Sequence, residues 1–238
     1  MSKKTILFIG GGKEAIPGVK CAKKIGYTTI ISDKSQKAPA KEFADYFIKA
    51  STYDRKETIK KALTFNKKIK KIDGVMSLSA DVPFTVASVA KKLKLRSIPL
   101  RAAKIFSNKY LMKKKFEEIG VLIPKFHLIR NIKDLKNKVY HFKTSIIKPV
   151  DSRGARGVFI VDKNNLVNLF NSSIKHSLSK KLILEEFLHG PQLSTETIIL
   201  KSKAFTVGVS DRNYEYLEKF KPNVIENGSD MPSKFQTK

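Results

Sequence analysis

The stretch SIIKPVDSRGARGVFIVD, residues 145–162, consists of two short apolar runs separated by a loop that is rich in glycine and arginine. Lys148 lies on the first run, just before the loop. Small residues let backbone N–H groups approach an anion closely, and cationic side chains neutralise its charge. The pattern is therefore typical of a polyphosphate-binding loop between two strands, with a plain β-hairpin and glycine turn as the simpler alternative.

A second apolar run, LILEEFLHGPQLSTE at residues 182–196, reaches the paired acids Glu185 and Glu186 and then a turn at Gly190. Its apolar residues predict a buried strand. The acids alone would suit an ordinary strand end equally well. Their combination with Lys148 and the glycine loop favours a nucleotide site.

The bulk composition predicts a globular chain with a sizeable core, since 41% of the 238 residues are hydrophobic. The formal net charge of +27 raises nucleic-acid binding as an alternative function. However, 41 of the 48 cations are lysine and they lie on nearly every polar segment. Nucleic-acid binders tend to cluster their cations and to use arginine, so we expect no specific nucleic-acid partner.

Cysteine and histidine usage predicts neither a disulfide nor a metal centre. Cys21 is the single cysteine, and the four histidines lie far apart in the sequence without ligand spacing. No run approaches the roughly 18 apolar residues of a membrane span. The expected setting is therefore soluble and cytoplasmic, with no membrane partner.

The first hundred residues alternate strands and helices, which predicts a parallel sheet with helices on both faces. The predicted strands are Thr5–Ile9, Thr28–Ser32, Ala44–Ile48 and Gly74–Leu78, and the predicted helices are Lys13–Ile25, Asp54–Phe65 and Val82–Leu93, the last two with Asp54 and Asp81 as N-caps. A connector at Ser97–Ser107 leads to a helix at Lys109–Ile119, a strand at Phe126–Ile129 and a helix at Ile132–Lys138. Mostly strands follow after Ser145, around one helix at Lys163–Lys175. We place the domain boundary in the connector, which gives domains 1–100 and 101–238.

The N-terminal glycines match a dinucleotide-binding pattern. Gly10–Ala15 fits G-x-G-x-x-A between a strand and a helix, and Asp33 ends the next strand. In a dinucleotide-binding domain such an acid bonds a ribose hydroxyl. An NAD(P)-dependent oxidoreductase is therefore a second alternative, although such glycine turns also allow close packing of a helix on a sheet.

Taken in order, these segments resemble the ATP-grasp superfamily, in particular its carboxylate–amine ligase branch, similar in outline to biotin carboxylase and carbamoyl-phosphate synthetase. Gly10–Ala15 with Asp33 resembles the pre-ATP-grasp domain of the family, which is Rossmann-like and binds no NAD. Asn108-Lys109 resembles the entry into the ATP-binding region, and Ile225–Ser233 resembles a later segment. The resemblance implies an α/β fold: a Rossmann-like pre-ATP-grasp domain, followed by an α+β ATP-grasp module.

The resemblance also implies the ATP site. Two lysines would contact the α and β phosphates, the glycine loop would close over the γ-phosphate, and the acidic strand would hold adenine. The implied ATP-binding residues are Lys109, Lys148, Ser152, Arg153, Gly154, Ala155, Arg156, Gly157, Glu185, Glu186, Phe187, Leu188 and Gln192. Gln192 departs from the family pattern, because relatives often have an acid there to bind the ribose, and Glu196 could face the same site or only solvent.

The implied activity is that of an ATP-dependent carboxylate–amine or carboxylate–thiol ligase that works through an acyl phosphate. Its partners would be a small-molecule carboxylate and an amine or other nucleophile, its cofactors ATP and Mg²⁺, and a homodimer is one option for its assembly. In the family, the Mg²⁺ ligands follow the segment that resembles Glu226–Ser233, so we assign no metal ligand and no catalytic residue here. On this resemblance we expect an incomplete ATP-grasp module, without ligase activity in this chain by itself.

Overall fold

The computed structural model describes residues 3–236, and the chain folds as two compact units, Met1–Lys115 and Phe116–Lys238. Each unit has its own hydrophobic core. The domain boundary predicted at residues 100 and 101 falls inside the first unit. In the described part of the chain, no helix is both long and apolar enough to cross a membrane.

The first unit contains a parallel sheet of four strands. The strands are β1 (Thr5–Ile9), β2 (Thr28–Asp33), β3 (Tyr46–Lys49) and β4 (Gly74–Met76), and the helices are α1 (Ile16–Lys24), α2 (Arg55–Lys68), α3 (Pro83–Lys92) and α4 (Leu100–Phe106). The order in the sheet is β3-β2-β1-β4. A further helix, α5 (Lys109–Glu118), spans the division between the units.

The side chains of β1 alternate between two cores, because successive residues of a strand point to opposite faces of the sheet. Leu7 is buried against a cluster that includes Phe65 of α2 and Val89 of α3. Phe8 is buried against a cluster that includes Val19 of α1. Helices therefore cover both faces of the parallel sheet, as the alternation of strands and helices predicted.

Helix starts in this unit agree only partly with the sequence prediction. Asp54 is the N-cap of α2, as predicted, and its carboxylate accepts from the backbone N–H of Glu57. Helix α3 begins at Pro83 with Val82 as its N-cap, so the prediction that Asp81 caps this helix was wrong. Proline is favoured in the first turn of a helix, because no backbone N–H is needed there. The expected connector was also wrong, since it contains α4 directly after Pro99.

The second unit contains two antiparallel sheets. The first is formed by β5 (Phe126–Ile129), β6 (Ser145–Pro149), β7 (Phe159–Ile160) and β8 (Leu182–Glu186), and the second by β9 (Gln192–Leu200), β10 (Lys203–Arg212) and β11 (Ser229–Asp230). The strand orders are β5-β8-β6-β7 and β11-β10-β9. The helices are α6 (Ile132–Lys138), α7 (Leu166–Ile174) and α8 (Leu217–Phe220). The bounds of β5 and α6 are those predicted from sequence.

One face of the first sheet packs on α6 and α7. Ile147 of β6 and Leu184 of β8 are fully buried in this core, together with Leu135 of α6. Since side chains alternate along a strand, the neighbouring residues Lys148 and Glu185 project from the opposite face. The packing of the helices thus determines which face of the sheet carries the charged residues.

Candidate functional site

Lys148 and Glu185 form an ion pair on the face of the first sheet of the second unit that lies opposite α6 and α7. Strands β6 and β8 are antiparallel neighbours, with Ile146 opposite Glu185 and Lys148 opposite Ile183. The Lys148 Nζ lies 2.8 Å from Glu185 Oε2, and the side chains are only 20% and 4% exposed. Two residues that the sequence assigned to one site are therefore in direct contact.

Strand β8 ends at Glu186, and backbone hydrogen bonds hold the chain as far as Phe187. The Glu186 N–H donates to the Lys125 carbonyl at 2.9 Å, and the Phe187 N–H donates to the Thr144 carbonyl at 3.0 Å. In an antiparallel strand, alternate residues present their backbone groups to the same edge. Leu188 lies two residues beyond the end of β8, so the pairing of an acceptor at Glu186 with a donor at Leu188 stays a prediction from the sequence.

The glycine loop between β6 and β7 has a left-handed backbone at three residues. The φ angles are +63° at Gly154, +54° at Ala155 and +74° at Gly157. The loop is fixed to the fold by a hydrogen bond of 2.7 Å from the Ser173 hydroxyl to the Gly157 carbonyl. Turns of this conformation direct successive N–H groups to one concave side, where an anion can bind.

The start of the loop is held by Asp151, which the sequence prediction did not include. Its Oδ1 accepts from the Ser177 hydroxyl at 2.9 Å, and its Oδ2 accepts from the Ser179 N–H at 2.8 Å. A carboxylate between an apolar strand and a glycine loop was visible in the sequence, but its partners lie more than 25 residues away. Asp151 therefore positions the loop and has no assigned contact with a ligand.

A cavity of about 730 Å³, a size that suits a small metabolite, lies beside the glycine loop. One part of its wall is residues 154–159 and His176, and another is Arg212 with residues 223–226. Arg212 donates from Nε to Glu226 Oε1 at 3.0 Å and from Nη2 to Glu226 Oε2. The sequence prediction noted Glu226 only within a family segment and did not include Arg212.

The charges of this second pair are stabilised by the pairing itself. The hydrogen bond from Arg212 lowers the pKa of the Glu226 carboxyl below its ordinary value of 4.5. The same hydrogen bond raises the pKa of the Arg212 guanidinium. Both groups are therefore charged at neutral pH.

Three further residues named from the sequence, Gln192, Glu196 and Lys109, lie outside β6, β8 and the glycine loop. Gln192 is exposed at the start of β9 and lies directly opposite Arg212 on β10. Glu196 is also exposed and shares the strand face of Gln192, because the two are four residues apart. Lys109 begins α5 in the first unit, whereas all other predicted ATP residues belong to the second.

The fold brings together two histidines that the sequence shows as distant. His127 Nε2 lies 2.9 Å from His141 Nδ1 beside Phe142. Burial, followed by the charges of His141 and Lys138, lowers the pKa of His127 below 6.5. Within residues 3–236, however, no group of three or more His, Cys, Asp or Glu side chains is arranged to hold a metal ion.

The N-terminal glycine loop uses its acid for its own backbone. Asp33 accepts from the Gly11 N–H through Oδ2 at 2.9 Å and from the Ser35 N–H through Oδ1 at 2.8 Å. The Gly12 N–H donates to the Ser79 hydroxyl at 3.1 Å. Both carboxylate oxygens thus stabilise the loop, which favours close packing over the ribose contact of an NAD site.

Comparisons with known proteins agree with this architecture. An ATP-grasp domain model matches residues 106–238, which is more than half of the chain, and the chain therefore belongs to the ATP-grasp family. This confirms the resemblance on which the fold class was predicted. The solved ADP complex of N5-carboxyaminoimidazole ribonucleotide synthetase has a TM-score of 0.77 at 20% identity, over 99% of this chain and 59% of that one. The L-amino acid ligase of Bacillus licheniformis has a TM-score of 0.71 at 18% identity, over 90% of this chain and 51% of that one.

Two curated relatives are ligase and transferase enzymes by name. The formate-dependent phosphoribosylglycinamide formyltransferase of Prochlorococcus marinus subsp. pastoris is 28% identical over 195 residues, which is 78% of this chain and 48% of the relative. The D-alanine–D-alanine ligase of Wolbachia pipientis wMel is 26% identical over 129 residues, which is 53% of this chain and 40% of the relative. The chain thus spans about half or less of the length of these relatives.

Proposed function

We infer that this protein acts in the ATP-dependent joining of a small-molecule carboxylate to an amine or another nucleophile, through an acyl phosphate. The observation that carries the proposal is the Lys148–Glu185 ion pair beside the glycine loop, within an ATP-grasp domain. The relatives that act as ligases by name support the same class of reaction.

The adenine would bind along the strand end that follows Glu185. The Glu186 carbonyl would accept from the exocyclic amine, and the Leu188 N–H, two residues further along the chain, would donate to the ring. The Glu185 carboxylate would accept a second hydrogen from the amine. Gln192 would contact the ribose hydroxyls, because an amide both donates and accepts.

The phosphates would be held by lysine and by the loop. The Lys148 ammonium has three donors, so it can keep its bond to Glu185 and also contact a phosphate oxygen. Lys109 is proposed as a second phosphate cation. The amides of the Ser152–Gly157 loop would stabilise the γ-phosphate, where charge redistributes during transfer.

The proposed reaction has two balanced steps. A carboxylate oxygen attacks the γ-phosphorus, the bond from that phosphorus to the β–γ bridging oxygen breaks, and the electron pair leaves with ADP. The nucleophile then attacks the acyl carbon and loses its proton to water, and the carbon–oxygen bond to the phosphoryl group breaks to release inorganic phosphate. This chain would contribute binding, orientation and electrostatic stabilisation.

Mg²⁺ is a proposal that the described residues do not support by themselves. They contain no cluster of three or more acidic, histidine or cysteine ligands for a metal. No residue within 3–236 is therefore proposed as a Mg²⁺ ligand. The homodimer and the cytoplasmic location likewise stay predictions from the sequence.

Calorimetric titration with ADP, adenosine and NAD⁺ tests the nucleotide site. We expect Lys148→Ala to weaken ADP binding about tenfold or more, because a charge-assisted hydrogen bond contributes roughly 1.5–3 kcal/mol. Adenosine lacks phosphates, so its affinity should change less than about twofold. The exposed Lys133 of α6 provides the matched control, and Lys133→Ala should bind ADP as the wild type does.

Two outcomes would contradict the proposal. Equal losses of ADP and adenosine affinity in Lys148→Ala would place Lys148 away from the phosphates. Binding of NAD⁺ but not of ADP by the wild type would favour the oxidoreductase alternative. A far-UV circular dichroism spectrum unchanged from wild type verifies that the variant is folded, and the double variant Lys148→Met/Glu185→Gln repeats the test without the buried carboxylate charge.

A further inference from the structure

We propose that Arg212 binds the carboxylate group of the acceptor substrate, which is a small monocarboxylate, in the cavity beside the glycine loop. This proposal rests on the proposed ligase function and assigns one of its substrates to a residue. It starts from the 730 Å³ cavity, whose wall combines the loop residues 154–159 with Arg212 and residues 223–226. Small-molecule sites commonly have volumes of about 300–1,000 Å³.

The guanidinium of Arg212 is held in one orientation. Glu226 engages it side-on, through Nε at 3.0 Å and through Nη2. The Tyr214 ring also lies 5.5 Å from the guanidinium carbon. A guanidinium with fixed orientation loses little conformational freedom when a ligand binds.

The side-on pair leaves the outer edge of the guanidinium for a ligand. Arginine has five N–H donors, and Glu226 takes one from Nε and one from Nη2. Among the described residues, Glu226 is the one acceptor bonded to the Arg212 guanidinium, so the two Nη1 hydrogens and the second Nη2 hydrogen are available. The planar edge that carries them matches the two oxygens of a carboxylate.

The charge balance of the cavity favours a single carboxylate. Glu226 neutralises Arg212, so the pair has no net charge and would attract a polyphosphate only weakly. A ligand carboxylate can still form charge-assisted hydrogen bonds with the free edge of the guanidinium. Arg156 lines the same cavity and is the cation that Glu226 does not neutralise; its Nε donates to the Arg153 carbonyl at 3.0 Å and thereby braces the loop.

The position of the cavity suits the first chemical step. Acyl phosphate formation requires a carboxylate oxygen in line with the γ-phosphorus, and the loop proposed to cover the γ-phosphate forms part of the same wall. A carboxylate oriented by Arg212 would share this cavity with the phosphoryl group. Arg212 would thus be a substrate-binding residue, with Glu226 as its positioning residue.

The test is titration of the ADP-saturated protein with formate, acetate and the neutral isostere acetamide, at constant ionic strength set with chloride. We expect formate or acetate to raise the melting temperature in a saturable way, and acetamide to have no effect. Arg212→Gln should weaken this binding at least about tenfold, since it removes a bidentate charged contact. Arg130→Gln is the matched control, because the Arg130 side chain is exposed elsewhere in the same unit.

ADP affinity is measured on every variant and separates the two proposals. If the wild type does not bind ADP, the proposed function itself is wrong. If ADP binds but neither carboxylate binds saturably, or if Arg212→Gln binds acetate like the wild type, the assignment of Arg212 is wrong. Loss of acetate binding in Arg212→Gln, with ADP affinity within about twofold of wild type, supports it.

Discussion

The Lys148–Glu185 pair offers a quantitative test of how charge is buried in this site. The Nζ–Oε2 distance of 2.8 Å corresponds to an attraction of about 6 kcal/mol at an effective dielectric constant of about 20. Desolvation of both groups offsets most of this attraction, so the pair itself contributes little net stability. Removing one partner is different, because the Glu185 side chain is only 4% exposed and its carboxylate would lose the ammonium that faces it.

Lys148→Met keeps the apolar stem of the lysine and removes its charge. Loss of one partner of a buried pair costs about 3–5 kcal/mol, and the 20% exposure of Lys148 places the expected loss near the lower limit, at about 3 kcal/mol. The double variant Lys148→Met/Glu185→Gln removes both charges, so we expect it to lie within about 1 kcal/mol of wild type.

Urea denaturation at neutral pH measures these free energies of unfolding. The surface variant Lys133→Met controls for the substitution itself and should change stability by less than about 0.5 kcal/mol. The reasoning would be refuted if Lys148→Met cost less than about 1 kcal/mol, or if the double variant were as unstable as the single one. Unchanged m-values would show that the variants unfold in the same way as the wild type.

Two further predictions concern the glycine loop and the histidine pair. Gly157→Ala should destabilise the protein by about 2 kcal/mol or more, and Gly154→Ala by about 1 kcal/mol. Both glycines have a positive φ, but only at Gly157 would a Cβ lie 3.0–3.1 Å from neighbouring side chains. Equal losses of stability in thermal denaturation would contradict this prediction. Burial and the charge of His141 lower the pKa of His127, so the folded protein favours the neutral form of this imidazole. The contribution of His127 to stability is therefore present above a pH of about 6.5 and is lost as the pH falls through its pKa in the folded protein. His141→Ala should therefore raise the pKa of His127 in an NMR titration, and an unchanged or lower pKa would refute the coupling.

Local patterns in the sequence were sufficient for much of the fold and for part of the site. The alternation of apolar strands and helices predicted the parallel sheet of the first unit, and β5 and α6 have the predicted bounds. Lys148, the glycine loop and Glu185 stood out because strand periodicity and glycine turns are short-range signals. The ATP-grasp resemblance depended on the order of these same segments.

Short-range signals were also the cause of the errors. Pro99 and its neighbours suggested a connector, but the structure has α4 directly after Pro99, since the start of a helix does not need the N–H that proline lacks. Asp81 was preferred as an N-cap on side-chain chemistry, whereas Pro83 determines where α3 begins.

Tertiary structure alone decided which distant side chains meet. Lys148 and Glu185 are 37 residues apart, and only the antiparallel pairing of β6 with β8 brings them into contact. The Arg212–Glu226 pair and the cavity beside the loop likewise depend on the path of the chain after β10, which brings residues 223–226 back to Arg212. Residue type and spacing report local conformation, whereas a contact between separate strands depends on their register, which packing of the whole unit determines.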